Sequence, residues 1–407
     1  MVRRVLQLSL QADPLNLLDG GDVGGQQIFV RKVARYIQFQ GYGTDVVTVR
    51  RSPEAPVRFS LGHLGQVLRM DLPLVPVSDE GWAASAPELA ARALALIRQE
   101  GRAYQMIHSH YWISGLVAEQ LAAELGIPWI HTPYKLAQWV ARTGDVISPV
   151  RAAAERKILN QADAVVVSYL GEGDLIRRLS PDVTIYVVPP GVEPTQFFSR
   201  DAGPVLKRLN LPRRPAIYVG RLAAGRGLEG LLSTLGEIRL PDEFRFLVVG
   251  GNSGEVEQGR PQDARLKALR DRLGPHVEFL GAMPHRAVAP FLAASSVMAA
   301  PNQGPTLGMA VLEGMASGLP VVGTAVTGIQ DWIADGTDGV VVAPGRLDLM
   351  AEALLRLWSD TARARRMGTA GQNRIHRHYT GEKMGSQLAR VYREVMGHER
   401  HSAGSGY

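Results

Sequence analysis

Cysteine is absent from the 407-residue chain. That excludes disulfides and thiolate metal sites, and it fits a cytoplasmic protein. Long apolar runs are absent too. None approaches the roughly 18 residues that cross a bilayer as a helix, so no integral membrane segment is expected. The opening MVRRVLQLSLQADP has a positive start, but glutamines interrupt its apolar run and no small-residue cleavage site follows. It reads as a first strand and not as a signal peptide. Aromatics make up 6% of the chain. None is interleaved with a basic stripe, so the net charge of +6 argues for an anionic small substrate over nucleic acid. The basic residues stand mostly in pairs (Arg50–Arg51, Arg177–Arg178, Arg213–Arg214), with one denser cluster in ARARRMG, and most read as a solvated face. No repeat of solenoid period is present. The tail GHERHSAGSGY reads as disordered. Oligomeric state stays open, a homo-oligomer included.

What the chain does have is alternation. In the first half RVLQLSL, TDVVTV, YQMIHSH, PWIHT, DAVVVS and TIYVVP read as strands, with helices such as QQIFVRKVARYIQFQ and LVAEQLAAELG between several of them. In the second half PAIYVG, FRFLVVG, VEFLG, SVMAAP, LPVVG and GVVVAP alternate with LEGLLSTLGEI, DARLKALRDRL, RAVAPFLAAS and LDLMAEALLRLWSD. β-Branched runs alternating with amphipathic helices imply an α/β fold with parallel sheets covered on both faces. The pattern restarts near residue 200, across the Pro-, Gly- and charge-rich PPGVEPTQFFSRDAGPVLKRLNLPRRP. This implies two doubly wound, Rossmann-like domains, with ligands expected in a cleft at the carboxyl ends of the strands.

Three stretches could carry chemistry. LDGGDVGGQQ follows the first strand and opens the first helix, where glycines let amides approach a phosphate or sugar. Its spacing is not the dinucleotide fingerprint, and no acidic residue closes the second strand, so a nicotinamide enzyme is disfavoured; a plain flexible turn is the alternative. In YVGRLAAGRGLEGLL a strand ends at Gly220, and Arg221 and Arg226 follow before a helix. Two fixed cations there suit a diphosphate; two surface arginines are the alternative. In PNQGPTLGMAVLEGMASGLPVV one carboxylate, Glu313, sits in an apolar helix. Buried charges need partners. The amides of Leu307, Gly308 and Met309 at the helix start suit a diphosphate, and Glu313 one turn on suits the two hydroxyls of a ribose. A salt bridge to an arginine is the alternative. His108 and His110 in HSHYW share one face of a strand. With no third ligand close in sequence they read as polar core or substrate contacts, not as a metal site. HRHY near Arg377 reads as surface, and the Leu and Met stripe of LMAEALLRLW as core.

Taken together, Arg221, Arg226, PPGVEP, the Glu313 helix and the following GLPVVGTAVTGIQDWIADGTDGVVV resemble the retaining nucleotide-sugar glycosyltransferases of family four. GGDVGGQQIFVRKVARYI, IHSHYWISG and IHTPYKLA resemble the branch that holds the inositol-phosphate glycosyltransferase of mycothiol synthesis, sucrose-phosphate synthase and sucrose synthase. The likeness covers nearly the whole chain. It implies the GT-B fold: an acceptor-binding domain over residues 1–195, joined by a returning C-terminal helix over 380–397, and a nucleotide-sugar-binding domain over 196–379. It implies a hexosyl-type, metal-independent transfer with retention, using a nucleotide-sugar co-substrate and no other cofactor. Residue by residue it implies that Gly24 and Gly25 touch the donor, that His131 lies near the reacting carbon, and that Arg221 and Arg226 bind the diphosphate. It further implies that Met283 lies near the base and that Glu313 holds the ribose. Gln26, Tyr111, Thr132 and Arg151 then contact a small polar acceptor.

Two departures stand out. The family usually has lysine where this chain has Arg226, which keeps the charge but changes its donor geometry. The family also pairs two glutamates eight positions apart, and the first falls here on Pro305, which offers neither carboxylate nor N–H. An unusual donor sugar, replacement by Asn302, Gln303 or Thr306, and lost activity are the three explanations, ranked in that order. The first points toward specialised, antibiotic-type metabolism. A glycosyltransferase-like binding protein without catalysis, and a sugar-nucleotide epimerase or a phosphorylase on the same fold, are the competing functions.

Overall fold

The short β-branched runs become strands buried on both faces, as a parallel sheet between helices requires. The computed structural model describes residues 2–15, 25–134, 136–138, 148–197, 202–211, 213–223, 226–251, 255–257 and 259–397. Gly24, Phe198–Arg200 of the expected linker, and the tail from His398 onward lie outside the described residues. The chain forms two units. One contains Gln26–Pro189 with the first strand and the helical residues from Glu382; the other contains Pro190–Gly381.

The first unit is built on an eight-stranded sheet. Its strands are β1 (Arg4–Leu8), β2 (Gly43–Val49), β3 (Arg58–Ser60), β4 (Gly65–Met70), β5 (Met106–His110), β6 (Trp129–Thr132), β7 (Ala164–Val167) and β8 (Ile185–Val187). The spatial order is β3-β4-β2-β1-β5-β6-β7-β8. Every pairing is parallel except β3 with β4. The direction of winding reverses between β1 and β5, where Leu8 pairs with Ser109. β3 and β4 were not read from the sequence: β3 is exposed throughout, so it shows no alternation of burial. The Asp79–Gln99 helix starts where the Ser78 hydroxyl accepts the Gly81 amide at 3.1 Å, and it buries Trp82, Leu89, Ala93 and Ile97. The Gly381–Gly397 helix buries Met384, Leu388, Val391, Tyr392 and Val395, a spacing that marks one helical face.

The second unit has a six-stranded, wholly parallel sheet. It contains β9 (Ala216–Val219), β10 (Phe246–Val249), β13 (Val277–Gly281), β14 (Val297–Ala300), β15 (Val321–Thr324) and β16 (Gly339–Val342), with a two-residue ribbon, β11 (Val256–Glu257) and β12 (Arg260–Pro261), beside it. The order β13-β10-β9-β14-β15-β16 reverses between β9 and β14. The linker stretch carries two short helices, Pro194–Phe197 and Gly203–Leu209. The LMAEALLRLW stripe is core, with Met350, Ala351, Leu354, Leu357 and Trp358 buried. Among the described residues, no helix is long and apolar enough to cross a membrane.

Candidate active site

In a doubly wound sheet the crevice opens at the carboxyl ends of the strands that flank the reversal. In the second unit those strands are β9 and β14. Arg221 and Arg226 follow β9, and the loop Pro301–Gly308 follows β14. The turn after β9 is fixed by Tyr218, whose hydroxyl donates to the Arg221 carbonyl at 2.7 Å. Gly220 leaves room for this turn, because a Cβ would lie 2.7 Å from that hydroxyl and push it aside. Burial raises Tyr218 to about 12, against the pull of Arg226 and Arg221, so the phenol keeps the proton it donates. Arg226 reaches the β14 loop, where its Nη1 donates to Thr306 Oγ1 at 3.1 Å.

The β14 loop ends at Gly308, which caps the Met309–Ala316 helix with φ of 69° and no side-chain capping bond. A Cβ there would sit 2.1 Å from the Gly328 carbonyl, so only glycine fits. Trp332 Nε1 holds the Leu307 carbonyl at 3.1 Å. The Gly308 N–H lies 3.5 Å from Thr306 Oγ1, and the glycine N-cap brings no side chain to the amides from Met309 onward, the arrangement that receives an anion. Pro305 lies half-buried in this loop, and Thr306 N–H bonds the Thr327 carbonyl at 3.1 Å.

Glu313 is 3% exposed, but it is not without a protein partner. Its Oε1 accepts from His285 Nε2 at 2.7 Å, and His285 Nδ1 faces the Gln196 amide nitrogen at 3.3 Å. An amide nitrogen can only donate and a carboxylate can only accept, so His285 carries its proton on Nε2. The His285 ring packs edge-on against Phe197 at 5.6 Å. The premise that only a ligand or an arginine balances Glu313 is thus corrected: a histidine takes one oxygen. The other, Oε2, has no hydrogen-bond partner among the described residues. Sequence reasoning missed His285, although it follows Met283 by two positions at the start of the His285–Ala294 helix. Met283 itself is half-buried in the loop after β13.

In the first unit the flanking strands are β1 and β5, with β6 next. His131 and Thr132 end β6, and Tyr111 follows β5 with φ of 72°. His131 is fully buried, and burial lowers it to about 3, so it is neutral. Ser109 Oγ donates to the Ile130 carbonyl at 3.2 Å and lies 2.8 Å from His131 Nδ1. Ser109 thus holds Nδ1 of the ring, whichever of the two groups takes its hydroxyl proton. Arg151 stacks over the Tyr111 ring at 5.0 Å, and its Nε donates to Glu155 at 2.8 Å. Burial raises Glu155, opposed by Arg151. Gln26 stands in the first turn of the Gly25–Gln38 helix, and its buried Nε2 has no hydrogen-bond partner among the described residues.

His108 and His110 are wholly buried and take protein partners. His108 bonds Tyr392 and Thr132, each at 2.8 Å; His110 bonds Tyr134 at 2.8 Å and Gln7 at 3.2 Å. No group of three metal-ligating side chains occurs among the described residues. Sequence reasoning missed Tyr134 and Tyr392, whose hydroxyls complete this polar core.

The Glycosyl transferase 4-like domain model matches residues 24–191, and the Glycosyl transferases group 1 model matches 213–360. The D-inositol 3-phosphate glycosyltransferase of Corynebacterium urealyticum is 31% identical over 99% of each chain. The chain belongs to the group 1 glycosyltransferases. The protein of the same description from Acidothermus cellulolyticus is 31% identical, covering 98% of this chain and 92% of its own. Among solved structures, sucrose-phosphate synthase from Thermosynechococcus elongatus superposes with a TM-score of 0.87 at 26% identity, covering 97% of this chain and 99% of that one. Anabaena HepE, solved with UDP and glucose, shares the fold with a TM-score of 0.74 at 15% identity, covering 96% of this chain and 100% of its own. The chain is therefore a glycosyltransferase of GT-B type.

Proposed function

We propose that the enzyme moves a sugar from a nucleoside-diphosphate donor to a small polar acceptor, with retention at the anomeric carbon. The observation that carries the donor half is the second unit's carboxyl edge. Two guanidiniums and an uncapped helix N-terminus lie on either side of the sheet reversal, one turn before a buried carboxylate with an unused oxygen. In this reading Arg221, Arg226 and the Leu307–Met309 amides hold the diphosphate and stabilise its developing charge, worth about 3–4 kcal/mol for one well-placed donor. They supply the positive charge that a metal ion would otherwise bring. Glu313 Oε2 accepts from the ribose, and Met283 lies against the base. Retention follows from kinship.

In the first unit Nε2 of His131 suits a sugar hydroxyl, which can donate to it or accept from it. Gly25, the Gln26 amide, Tyr111, Thr132 and Arg151 receive the remaining polar groups of donor and acceptor. Pro305 favours a donor sugar that lacks the hydroxyls the missing glutamate would bind, hence specialised small-molecule biosynthesis. The same proline supports a second reading, a nucleotide-binding protein without turnover.

One experiment separates the two. Incubation with UDP-, GDP-, ADP- and dTDP-sugars and D-inositol 3-phosphate, the acceptor named for the relatives above, is followed by mass spectrometry, with Arg221→Ala as control. Transfer that Arg221→Ala abolishes is expected. Binding of the same nucleotides with no product from any donor would leave only the second reading. Fast turnover of ordinary UDP-glucose or UDP-GlcNAc would remove the unusual-donor part.

A further inference from the structure

The amino edge of the first unit's sheet holds a cavity, on the side away from the carboxyl ends described above. β1, β2 and β4 run parallel, so their first residues, Arg4, Gly43 and Gly65, share that edge. Arg102 comes shortly before β5, and the turn from Ser60 to Gly65 joins β3 to β4. The cavity has a volume of about 280 Å³, and Arg4, Arg58, Phe59, His63 and Arg102 are among the residues that line it. That is near the low end for small-molecule pockets, roughly 300–1,000 Å³.

Its walls are fixed from behind. Gln38 is buried, and its side chain spans the turn: Nε2 donates to the Leu61 carbonyl at 2.7 Å, and Oε1 accepts the Leu64 N–H at 2.9 Å. Asp45, wholly buried in β2, accepts Arg102 Nη1 at 2.8 and 3.0 Å and the Tyr104 hydroxyl at 2.7 Å. Glu100 accepts Arg58 Nε at 2.6 Å on one oxygen and Gln66 Nε2 at 2.8 Å on the other. Arg4 Nη1 donates to the Leu64 carbonyl at 3.3 Å and stays 3.8 Å from Asp45.

The charges here do not balance. Three guanidiniums face two carboxylates. Arg102 serves Asp45 and Arg58 serves Glu100, so a purely structural network leaves Arg4 over. Each guanidinium commits one nitrogen to a hydrogen bond: Nη1 of Arg4, Nε of Arg58 and Nη1 of Arg102. Their remaining nitrogens have no hydrogen-bond partner among the described residues. The three side chains are 22%, 56% and 33% exposed, so a ligand can reach them. Beside them Phe59 presents an apolar ring on the exposed strand β3.

We propose that this cavity binds a small phosphate monoester, the phosphate on the uncommitted guanidinium nitrogens of Arg4, Arg58 and Arg102 and the esterified group against Phe59. Planar guanidinium forks match phosphate oxygens in shape as well as charge. Five residues of β1, roughly 16 Å of strand, separate the cavity from the carboxyl edge. Its occupant is then neither donor nor acceptor, and the site stands whether or not the proposed transfer does.

The probes are phenyl phosphate, which carries a flat apolar group, and inorganic phosphate. Each is titrated at fixed pH into the full chain labelled with 15N-histidine. The His63 signals, identified by their loss in His63→Gln, report on this cavity and not on phosphate bound at the carboxyl edge. Phenyl phosphate is expected to shift them saturably. Arg58→Ala and Arg4→Gln should each weaken that response about ten- to a hundredfold, the worth of a hydrogen bond to a charged group. Phe59→Ser should weaken phenyl phosphate while leaving inorganic phosphate within twofold. His63 signals that neither probe moves, or an equal response in wild type and both arginine variants, overturns the site. Phenyl phosphate binding no tighter than inorganic phosphate, with Phe59→Ser changing neither, overturns the monoester assignment. Arg4→Gln breaks no close ion pair, so it decides the matter even where Arg58→Ala melts low.

Discussion

Glu313→Gln separates the structural role of this carboxylate from the role proposed for it. Glutamine keeps the volume and can still present an oxygen to His285 Nε2, which now lies 2.7 Å from Oε1. A hydrogen bond to a charged acceptor, worth about 1.5–3 kcal/mol, becomes a neutral one worth about 1. Removing a buried charge returns part of that difference. The net change in stability is therefore expected within about 1 kcal/mol, a shift of no more than roughly 2–4 °C in Tm for a domain of this size. Binding behaves differently. The glutamine amide nitrogen replaces Oε2, the oxygen without a partner, and it cannot accept from ribose hydroxyls. The loss of two charge-assisted bonds should cost about 3 kcal/mol, roughly a hundredfold or more in Kd. Calorimetric titration with nucleoside diphosphates measures this. A 2′,3′-dideoxy nucleotide completes the cycle: it should bind wild type poorly and be indifferent to the mutation. Glu313→Gln binding within twofold of wild type, or a dideoxy nucleotide binding as well as its parent, would refute the reasoning.

Other expectations follow from the same geometry. Arg226→Ala should lower kcat by about a hundred- to a thousandfold with a smaller change in donor KM, because the charge it meets develops in the transition state; Arg226→Lys should recover part of the loss. A rise in KM alone would assign Arg226 to ground-state binding. Gly308→Ala places a Cβ 2.1 Å from the Gly328 carbonyl at a φ of 69°, so it should lower Tm and weaken nucleotide binding together, read by calorimetry. Unchanged affinity would detach the helix N-terminus from the site. Burial, partly offset by the Ser168 amide, raises the Glu172 carboxyl from 4.5 to about 8. The native state thus holds a proton that the unfolded chain releases, and Glu172 costs up to about 1.4 kcal/mol per pH unit as pH rises between those values. Glu172→Gln should gain stability over wild type progressively across that window in pH-dependent denaturation. A constant difference would mean that the native carboxyl is ionised.

The parallel sheets were legible because their strands are short, apolar and bounded by glycine and proline, as in PAIYVG and LPVVG. The place of Arg221 and Arg226 was legible for a related reason: they follow the strand that ends at Val219, at its carboxyl edge. β3 and β4 were not, since an edge pair holding Arg58 and Gly65 shows neither alternation nor an apolar run. The carboxylate in the apolar helix was recognised, but its partner was not. His285 lies 28 residues away in sequence, and only the packing of the Pro194–Phe197 and His285–Ala294 helices brings Gln196, His285 and Glu313 into line. The same holds for Tyr392 and His108, separated by 284 positions. Side-chain chemistry at a strand end can be read locally, whereas a hydrogen-bond partner supplied by a distant helix cannot.

The most direct measurement is a crystal structure of the full chain soaked with the nucleoside diphosphate that raises its Tm most. The diphosphate should lie on the Met309 helix start, within hydrogen-bond distance of Arg221 and Arg226, with both ribose hydroxyls on Glu313 Oε2. A nucleotide bound elsewhere, or an Oε2 that turns to a protein group and leaves the ribose untouched, would contradict the account.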